Sequence, residues 1–443
     1  MSKPNEPFGV AVVGCGTVGG ATAAALLGDA DLLADRVGRR LELRAVVDVN
    51  FDRARRLGLD EALLSDDLAG VLADPAVDAV VELIGGTTVA RETISRAIAA
   101  GKDVVTANKA LLAHHGPELY AEARAAGVAI AFEASCAGGI PIVRALTDGL
   151  LANRIDALYG IVNGTCNYIL SEMAATGKSY AAALADAQAD GLAEADPSLD
   201  VGGGDSAHKL AILASLAFAR RVNVDDIPVA GIDTLELCDV QYGRELGYVI
   251  KLLAIAQRRD DGLSLRVRPV FIHTDHPLAW VAGPFNAVSV YGHAVGHTMY
   301  YGRGAGGSPT ASAVVADLAA LAVGTTQRSF ASLGLWPDRT ADARQLPEEQ
   351  IESRYYIRVL AEDQPGTLAK IASLLGEQGI SISSVLQHEP AAGQTAAVPV
   401  VITTARAREG RIRAALHAVN AMDEIKAEPV CIGIVDEHEE AVE

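Results

Sequence analysis

The sequence predicts an α/β fold in three parts. A doubly wound parallel sheet opens the chain, an α+β region follows, and a small ferredoxin-like domain closes it. Three observations predict this. Through roughly the first 150 residues, short β-branched runs alternate with Ala-rich helical stretches, the rhythm of repeated β-α units. From about Leu150 that character changes. The last ~90 residues run strand, helix, strand, strand, helix, strand, which is the ferredoxin-like order.

Composition agrees. The chain has 443 residues, half of them hydrophobic and 21% charged, which suits a compact protein of about three domains. A net charge of −19 argues against nucleic acid or an anionic membrane as partner, since both need a basic footprint. No apolar run reaches the ~18 residues of a membrane span. The start, M-S-K-P-N-E-P, is polar and leads straight into a strand, unlike a signal peptide. The five cysteines (Cys15, Cys136, Cys166, Cys238, Cys431) are scattered and never spaced C-x-x-C. They read as reduced cytoplasmic thiols with no structural zinc. His114-His115 and His293/His297 lack a zinc-ligand spacing and read as structural or surface residues.

The first strand, Phe8 to Val13, is followed at once by Gly14-Cys15-Gly16-Thr17-Val18-Gly19 and a helix. This is G-x-G-x-x-G in its strand-turn-helix setting. Gly14 permits the tight turn, Gly16 lets a pyrophosphate approach the backbone, and Gly19 lets helix pack on strand. The helix N-terminus then faces the phosphates. The second strand, Leu41 to Val47, ends in Asp48, which suits the ribose hydroxyls of NAD. Arg53, Arg55 and Arg56 follow closely and suit the 2′-phosphate of NADP, so the choice between NAD and NADP stays open. Ala76 to Ile84 and Asp103 to Thr106 are further strands, with a helix over Val89 to Ala100. Asn108 and Lys109 fall at a strand's carboxyl end, where such sheets bind ligands. The alternative for Lys109 is a solvated lysine opening the next helix. Val128 to Phe132 is a strand running into E-A-S-C-A-G-G-I-P. There Glu133 and nearby backbone carbonyls offer oxygens to a small hard cation, or simply form a tight crossing turn. Cys136 has no neighbouring base and is not read as a nucleophile.

Beyond Ala157 to Val162, a strand, comes N-G-T-C-N-Y (163–168) and a helix to about Thr176. Then comes the most unusual stretch, G-L-A-E-A-D-P-S-L-D-V-G-G-G-D-S-A-H-K, Gly191 to Lys209. It gathers Glu194, Asp196, Asp200, Asp205 and Lys209 before an apolar helix that must be buried. Asp205 and Lys209 are four apart and share a helix face. A lysine there, facing carboxylates, is a candidate proton donor. The plainer reading is a helix-capping aspartate with a salt bridge one turn on. Val267 to His273, Val281 and Val288 to Val290 suggest an antiparallel sheet, and a second glycine-rich turn, 302–307, precedes a helix over Ala311 to Val323. The polar stretch Thr325 to Glu349 reads as a linker. The C-terminal domain is assigned Tyr355 to Leu360, the D-Q-P-G turn, a helix over Thr367 to Gln378, then Ile380 to Gln387, Ala397 to Thr403, Glu409 to Val419 and Ile425 to Ile434.

These motifs together resemble the homoserine dehydrogenase family, in the form with a C-terminal ACT domain. The residues that carry the resemblance are the Gly14–Gly19 fingerprint, T-A-N-K ending at Lys109, E-A-S-C-A-G-G-I-P, N-G-T-C-N-Y, the Gly191–Lys209 stretch and G-R-G-A-G-G at 302–307. The resemblance implies a Rossmann-type NAD(P)-binding domain (1–150, with a helix at 308–330 packing back on it). It implies a substrate-binding and dimerisation domain (151–307), a linker (325–350) and an ACT regulatory domain (351–443). The implied reaction is reversible reduction of L-aspartate 4-semialdehyde to L-homoserine in threonine and methionine biosynthesis. Carried over by position, Lys209 is the proton donor and Lys109 touches both nicotinamide and substrate. Glu194, Asp205 and Asp200 bind substrate, and Glu194 takes the ammonium group. Thr17, Val18, Gly191 and Gly306 match cofactor positions, beside Gly14, Gly16, Gly19 and Asp48. Glu133, with Cys136, Gly138 and Ile140, matches a structural sodium site. Asp363 and Gly366 fall in the loop that implies a threonine effector, and the family implies a homodimer or homotetramer. Two rivals are a non-catalytic NAD(H)-sensing regulator and a semialdehyde dehydrogenase making an acyl phosphate. The first lacks a basic recognition helix, and the second lacks an activated cysteine.

Overall fold

A computed structural model describes residues 6–389 and 397–438, so the polar start Met1–Asn5 lies outside the described residues. The chain divides into two compact units. One comprises residues 1–164, 204–227 and 284–343; the other comprises 165–203, 228–283 and 344–443. Both units therefore draw on the segment 151–307.

The first unit holds a parallel sheet of β1 (Phe8–Val13), β2 (Leu41–Val47), β3 (Leu64–Ser65), β4 (Ala79–Glu82), β5 (Asp103–Thr106) and β6 (Ile130–Ala131). Their spatial order is β3-β2-β1-β4-β5-β6, with the chain reversing direction beside β1. Every residue of β1 is buried, which is why it reads as an unbroken apolar run. Two expected strands come out shorter. β4 ends at Glu82, whose carboxylate accepts the amides of Ile84 and Gly85 and turns the chain away. Val128 to Phe132 contracts to β6, which pairs with β5 through Ile130 and Ala131.

The helix Gly307–Val323 packs along the helix Thr17–Gly28 in this unit. A Cβ on Gly307 would stand 3.3 Å from the Thr17 carbonyl oxygen, so glycine permits that approach. The expected linker is corrected in its first part. Thr325–Ser332 is helical, and Phe330, Leu335 and Trp336 are buried. Phe330 and Trp336 pack with Tyr120 and Phe132, and Arg124 pairs with Asp338 while lying over the Phe330 ring. Two large aromatics in a polar stretch gain more by burial than by remaining in a linker. Ile155–Ile161, Phe285–Gly292 and Gly296–Arg303 form antiparallel pairs in the same unit.

The second unit contains a long hairpin, Tyr248–Arg259 with Gly262–His273. The sequence predicts only the second of these strands, and Val281 lies in a loop instead of a sheet. Four strands of the C-terminal part stand in the order Val430–Val435, Glu352–Glu362, Ala397–Thr404, Ile382–Gln387, with helices Thr367–Glu377 and Glu409–Asn420 over a core of Tyr355, Ile357, Val359, Ile371, Ile402 and Ile412. The ferredoxin-like order is therefore present. Val430–Val435 also pairs in parallel with the hairpin strand Gly262–His273, so that sheet edge is covered within the unit. Among the described residues no single helix is long and apolar enough to cross a membrane.

Candidate active site

The glycine fingerprint explains itself sterically. Gly14 has φ +100°, and a Cβ there would fall 2.6 Å from the Leu83 carbonyl oxygen. A Cβ on Gly19 would fall 1.8 Å from the Gly14 oxygen. At Gly16 a Cβ would touch nothing in the chain, and its exposed backbone lies open to a ligand. No side chain caps the helix that starts at Thr17, so its N-terminus is available to a phosphate. Asp48 spends its carboxylate on the amides of Cys15, Val49 and Asn50. Arg53 reaches the fingerprint, donating to Thr17 Oγ1 at 3.2 Å, whereas Arg55 is paired with Glu61.

Two helices of the first unit bring their charged ends together. Asn108 caps the helix Lys109–Ala126 by accepting the Leu111 amide, and it donates to the Gly86 carbonyl at 2.6 Å. Lys109, the first helical residue, thereby reaches Asp205 Oδ1 at 3.1 Å. Asp205 Oδ2 accepts from Lys209 Nζ at 2.8 Å and from Asn163 Nδ2 at 2.8 Å. Lys209 also donates to the Val162 carbonyl at 2.6 Å. Asp205 lies inside the first turn of the helix Gly204–Phe218, so its carboxylate serves the two lysines and Asn163. Burial pushes this carboxyl up, but the two ammonium groups and Asn163 outweigh it and hold it well below the usual carboxylate range. Lys209 is 8% exposed, while the Lys109 side chain is about one-third exposed. The result is one buried carboxylate bridging a buried and an accessible ammonium, an arrangement suited to stabilising and protonating a developing alkoxide.

The acidic part of the long motif belongs to the second unit. Gly191 turns at φ +70°. Thr165 Oγ1 donates to the Leu192 carbonyl at 2.7 Å, and Cys166 Sγ donates to the Asp200 carbonyl at 3.2 Å. The Glu194 side chain is exposed, and Asp196 binds the Ser198 amide. Gly306, at φ +120°, directly precedes the helix Gly307–Val323 of the first unit.

Glu133 is buried, and its carboxylate is engaged by backbone. Its carboxylate accepts the amides of Val143 and Arg144 at 2.9 Å each, fixing the turn into Ile142–Arg144. The Glu133 amide in turn donates to Asp317, which pairs with Arg144. Burial first, then Asp317, pushes Glu133 up to about 7. Burial likewise lifts Asp317 to about 6 despite Arg144. Cys136 and Ile140 are buried beside this turn in sequence, and a Cβ on Gly138 would strike Thr310. Burial also pushes the Cys136 thiol up to about 12, which is unsuited to a nucleophile. Among the described residues no three His, Cys, Asp or Glu gather as a metal cluster. In the C-terminal domain, Asp363 accepts from Gln387, and Gly366 (φ +96°) precedes the helix Thr367–Glu377.

Sequence reasoning assigns no role to Asn163 or Glu82. Asn163 opens the N-G-T-C-N-Y motif, so a signal is present. Glu82 is fully buried and accepts from Thr106 Oγ1 at 2.6 Å, linking the ends of β4 and β5, but in sequence it is one acid in an apolar strand.

A dinucleotide-type sheet, a lysine–carboxylate–lysine site and a ferredoxin-like tail define an NAD(P)-dependent oxidoreductase architecture with an appended domain. Comparison with known proteins makes this specific. Residues 14–133 match the NAD-binding domain of homoserine dehydrogenase, 141–319 its homoserine dehydrogenase domain, and 355–421 an ACT domain. A homoserine dehydrogenase from Pseudomonas aeruginosa is 46% identical over 97% of this chain and 99% of its own. The crystal structure of a homoserine dehydrogenase from Thiobacillus denitrificans has a TM-score of 0.91 at 43% identity, over 97% of this chain and 99% of that one. One from Staphylococcus aureus has a TM-score of 0.75 at 28% identity, over the same shares. The chain belongs to the homoserine dehydrogenase family, in its form with a C-terminal ACT domain.

Proposed function

We propose that the chain catalyses the reversible NAD(P)H-dependent reduction of L-aspartate 4-semialdehyde to L-homoserine, serving threonine and methionine synthesis in the cytoplasm. The observation that carries this reading is Asp205 bridging Lys109 and Lys209. When bound, the reduced nicotinamide supplies hydride to the aldehyde carbon. The negative charge growing on the aldehyde oxygen is met by the Lys209 ammonium, which donates its proton there. Asp205 and the Val162 carbonyl aim that ammonium, and Lys109, the more accessible cation, orients the substrate. Glu194 takes the substrate ammonium, with Asp200 supporting it. Gly14, Gly16, Thr17, Val18, Gly19, Gly191 and Gly306 receive the dinucleotide. Arg53 beside Thr17 favours NADP, while Asp48 keeps NAD acceptable.

A sodium ion at Glu133, with backbone oxygens of Cys136, Gly138 and Ile140, fits the local charge. Glu133 and Asp317 bury two carboxyls against the single guanidinium of Arg144, leaving an unbalanced negative charge. Threonine binding near Asp363 and Gly366 is the expected regulation. Assembly as a homodimer or homotetramer is supported by the edge strand Gly296–Arg303, where Met299 and Tyr301 are 40% and 54% exposed.

The test is absorbance at the reduced-nicotinamide band with homoserine plus NAD or NADP. Growth of the band with either carries the proposal. No signal with either would leave a dinucleotide-sensing regulator as the better reading.

A further inference from the structure

Lys251 is a buried cation outside the lysine–carboxylate site. It lies mid-strand in Tyr248–Arg259 and is 4% exposed, and no carboxylate among the described residues is within salt-bridge reach of it. A buried ammonium without a counterion is costly and is retained only where its hydrogen bonds are needed. Its Nζ donates to Asn167 Oδ1 at 3.1 Å and to the Val281 carbonyl at 2.5 Å. Asn167 Nδ2 donates in turn to the carbonyls of Val281 and Gly283 at 3.1 and 2.8 Å. Ser171, one turn further along, donates to the Asn167 carbonyl and accepts the Gly283 amide. Lysine, helix and loop are thus closed into one knot.

That helix, Gly164–Thr176, has a second set of duties in its first turn. Thr165 Oγ1 holds the Leu192 carbonyl, and Cys166 Sγ holds the Asp200 carbonyl. These two bonds grip both ends of the segment that carries Glu194. Thr165, Cys166 and Asn167 are consecutive, so an orientation imposed at Asn167 passes directly to both grips.

We propose that Lys251 is a positioning residue for substrate binding, which through Asn167 and the first turn of the Gly164–Thr176 helix fixes the 192–200 segment and its Glu194. The inference rests on the proposed function only in naming homoserine as the ligand. A lysine does this where a methionine cannot, because it both fills the space and donates to an amide and a carbonyl at once. Burial alone pushes its ammonium down to about 8, so the fully charged form is present below that pH and lost above it. No charged neighbour contributes to that lowering.

The experiment uses the full chain with Lys251→Met and, should that variant fold poorly, Thr165→Val. Expected for either is a KM for homoserine raised by roughly 10-fold, with kcat and the KM for dinucleotide within about 3-fold, the pattern of lost ground-state positioning. In the wild type the KM for homoserine should climb as pH rises through about 8, and Lys251→Met should lose that inflection. Amide exchange within 192–200 should quicken in both variants. An unchanged KM for homoserine, or equal losses in every constant together with a lowered melting temperature, would overturn the inference. A wild-type chain inactive on homoserine would sink the proposed function instead, and the exchange measurement would still decide the role of Lys251.

Discussion

Asp205 Oδ2 and Lys209 Nζ lie 2.8 Å apart, one turn along a single helix, and both residues are buried. An i,i+4 pair on a helix surface contributes only a few tenths of a kcal/mol. Here the pair is withdrawn from water and shares its carboxylate with Lys109, so its role is to hold charge in place.

Lys209→Ala should therefore lower turnover by ~10² or more while leaving dinucleotide binding intact. Steady-state kinetics beside a nicotinamide fluorescence titration checks both halves. Near-wild-type turnover would remove Lys209 from the mechanism.

Glu133 and Asp317 make stability depend on pH in the unusual direction. Both carboxyls are lifted in the folded state, to about 7 and about 6, so the native chain binds more protons than the unfolded one between pH ~4 and 7. Stability should fall as pH rises through that window, by about 6 kcal/mol at most, since each tenfold gain in proton affinity on folding is worth ~1.4 kcal/mol and each group gains more than two such factors. Thermal melts in sodium-free buffer at pH 5 and 7.5 measure it. Asp317→Asn should flatten the dependence, and added sodium should restore stability at the higher pH if the cation site is real.

Arg358 meets Asp239 with two bonds, Nε to Oδ1 at 2.7 Å and Nη2 to Oδ2 at 3.0 Å, and Tyr356 donates to the same carboxylate. All three residues are buried. Asp239→Ala should cost roughly 3 kcal/mol by leaving the guanidinium with only the more exposed Glu236, 3.2 Å away, whereas Asp239→Ala with Arg358→Met should cost less than the single change. Urea unfolding of the two variants decides it.

Arg53→Ala should raise the KM for NADP by roughly 10-fold and that for NAD much less, because only NADP carries the phosphate that a guanidinium would meet. Equal effects on both cofactors would assign Arg53 to the pyrophosphate instead.

Much of this is legible in the sequence because its physics is local. A buried parallel strand needs an apolar run, a phosphate turn needs glycines where any Cβ would collide, and an i,i+4 pair must share a helix face. Gly14, Gly19, Asp205 and Lys209 are readable on those grounds. Lys109 meeting Asp205 is not, since 96 positions separate them and only the packing of two helices brings them within reach. Family resemblance alone links the two in advance of the geometry. Lys251 is hidden for the opposite reason, as one lysine in a strand whose neighbours are apolar. The linker reading at Thr325 to Glu349 fails in its first part because Phe330 and Trp336 outweigh the polar residues around them.

The parallel pairing of Val430–Val435 with the hairpin strand Gly262–His273 bears on protein engineering. Trimming the chain near residue 350 to obtain an enzyme without its ACT domain would strip a neighbour from Gly262–His273 and leave Arg268 without Glu409. The truncated product would present a raw, apolar strand edge and tend to self-associate.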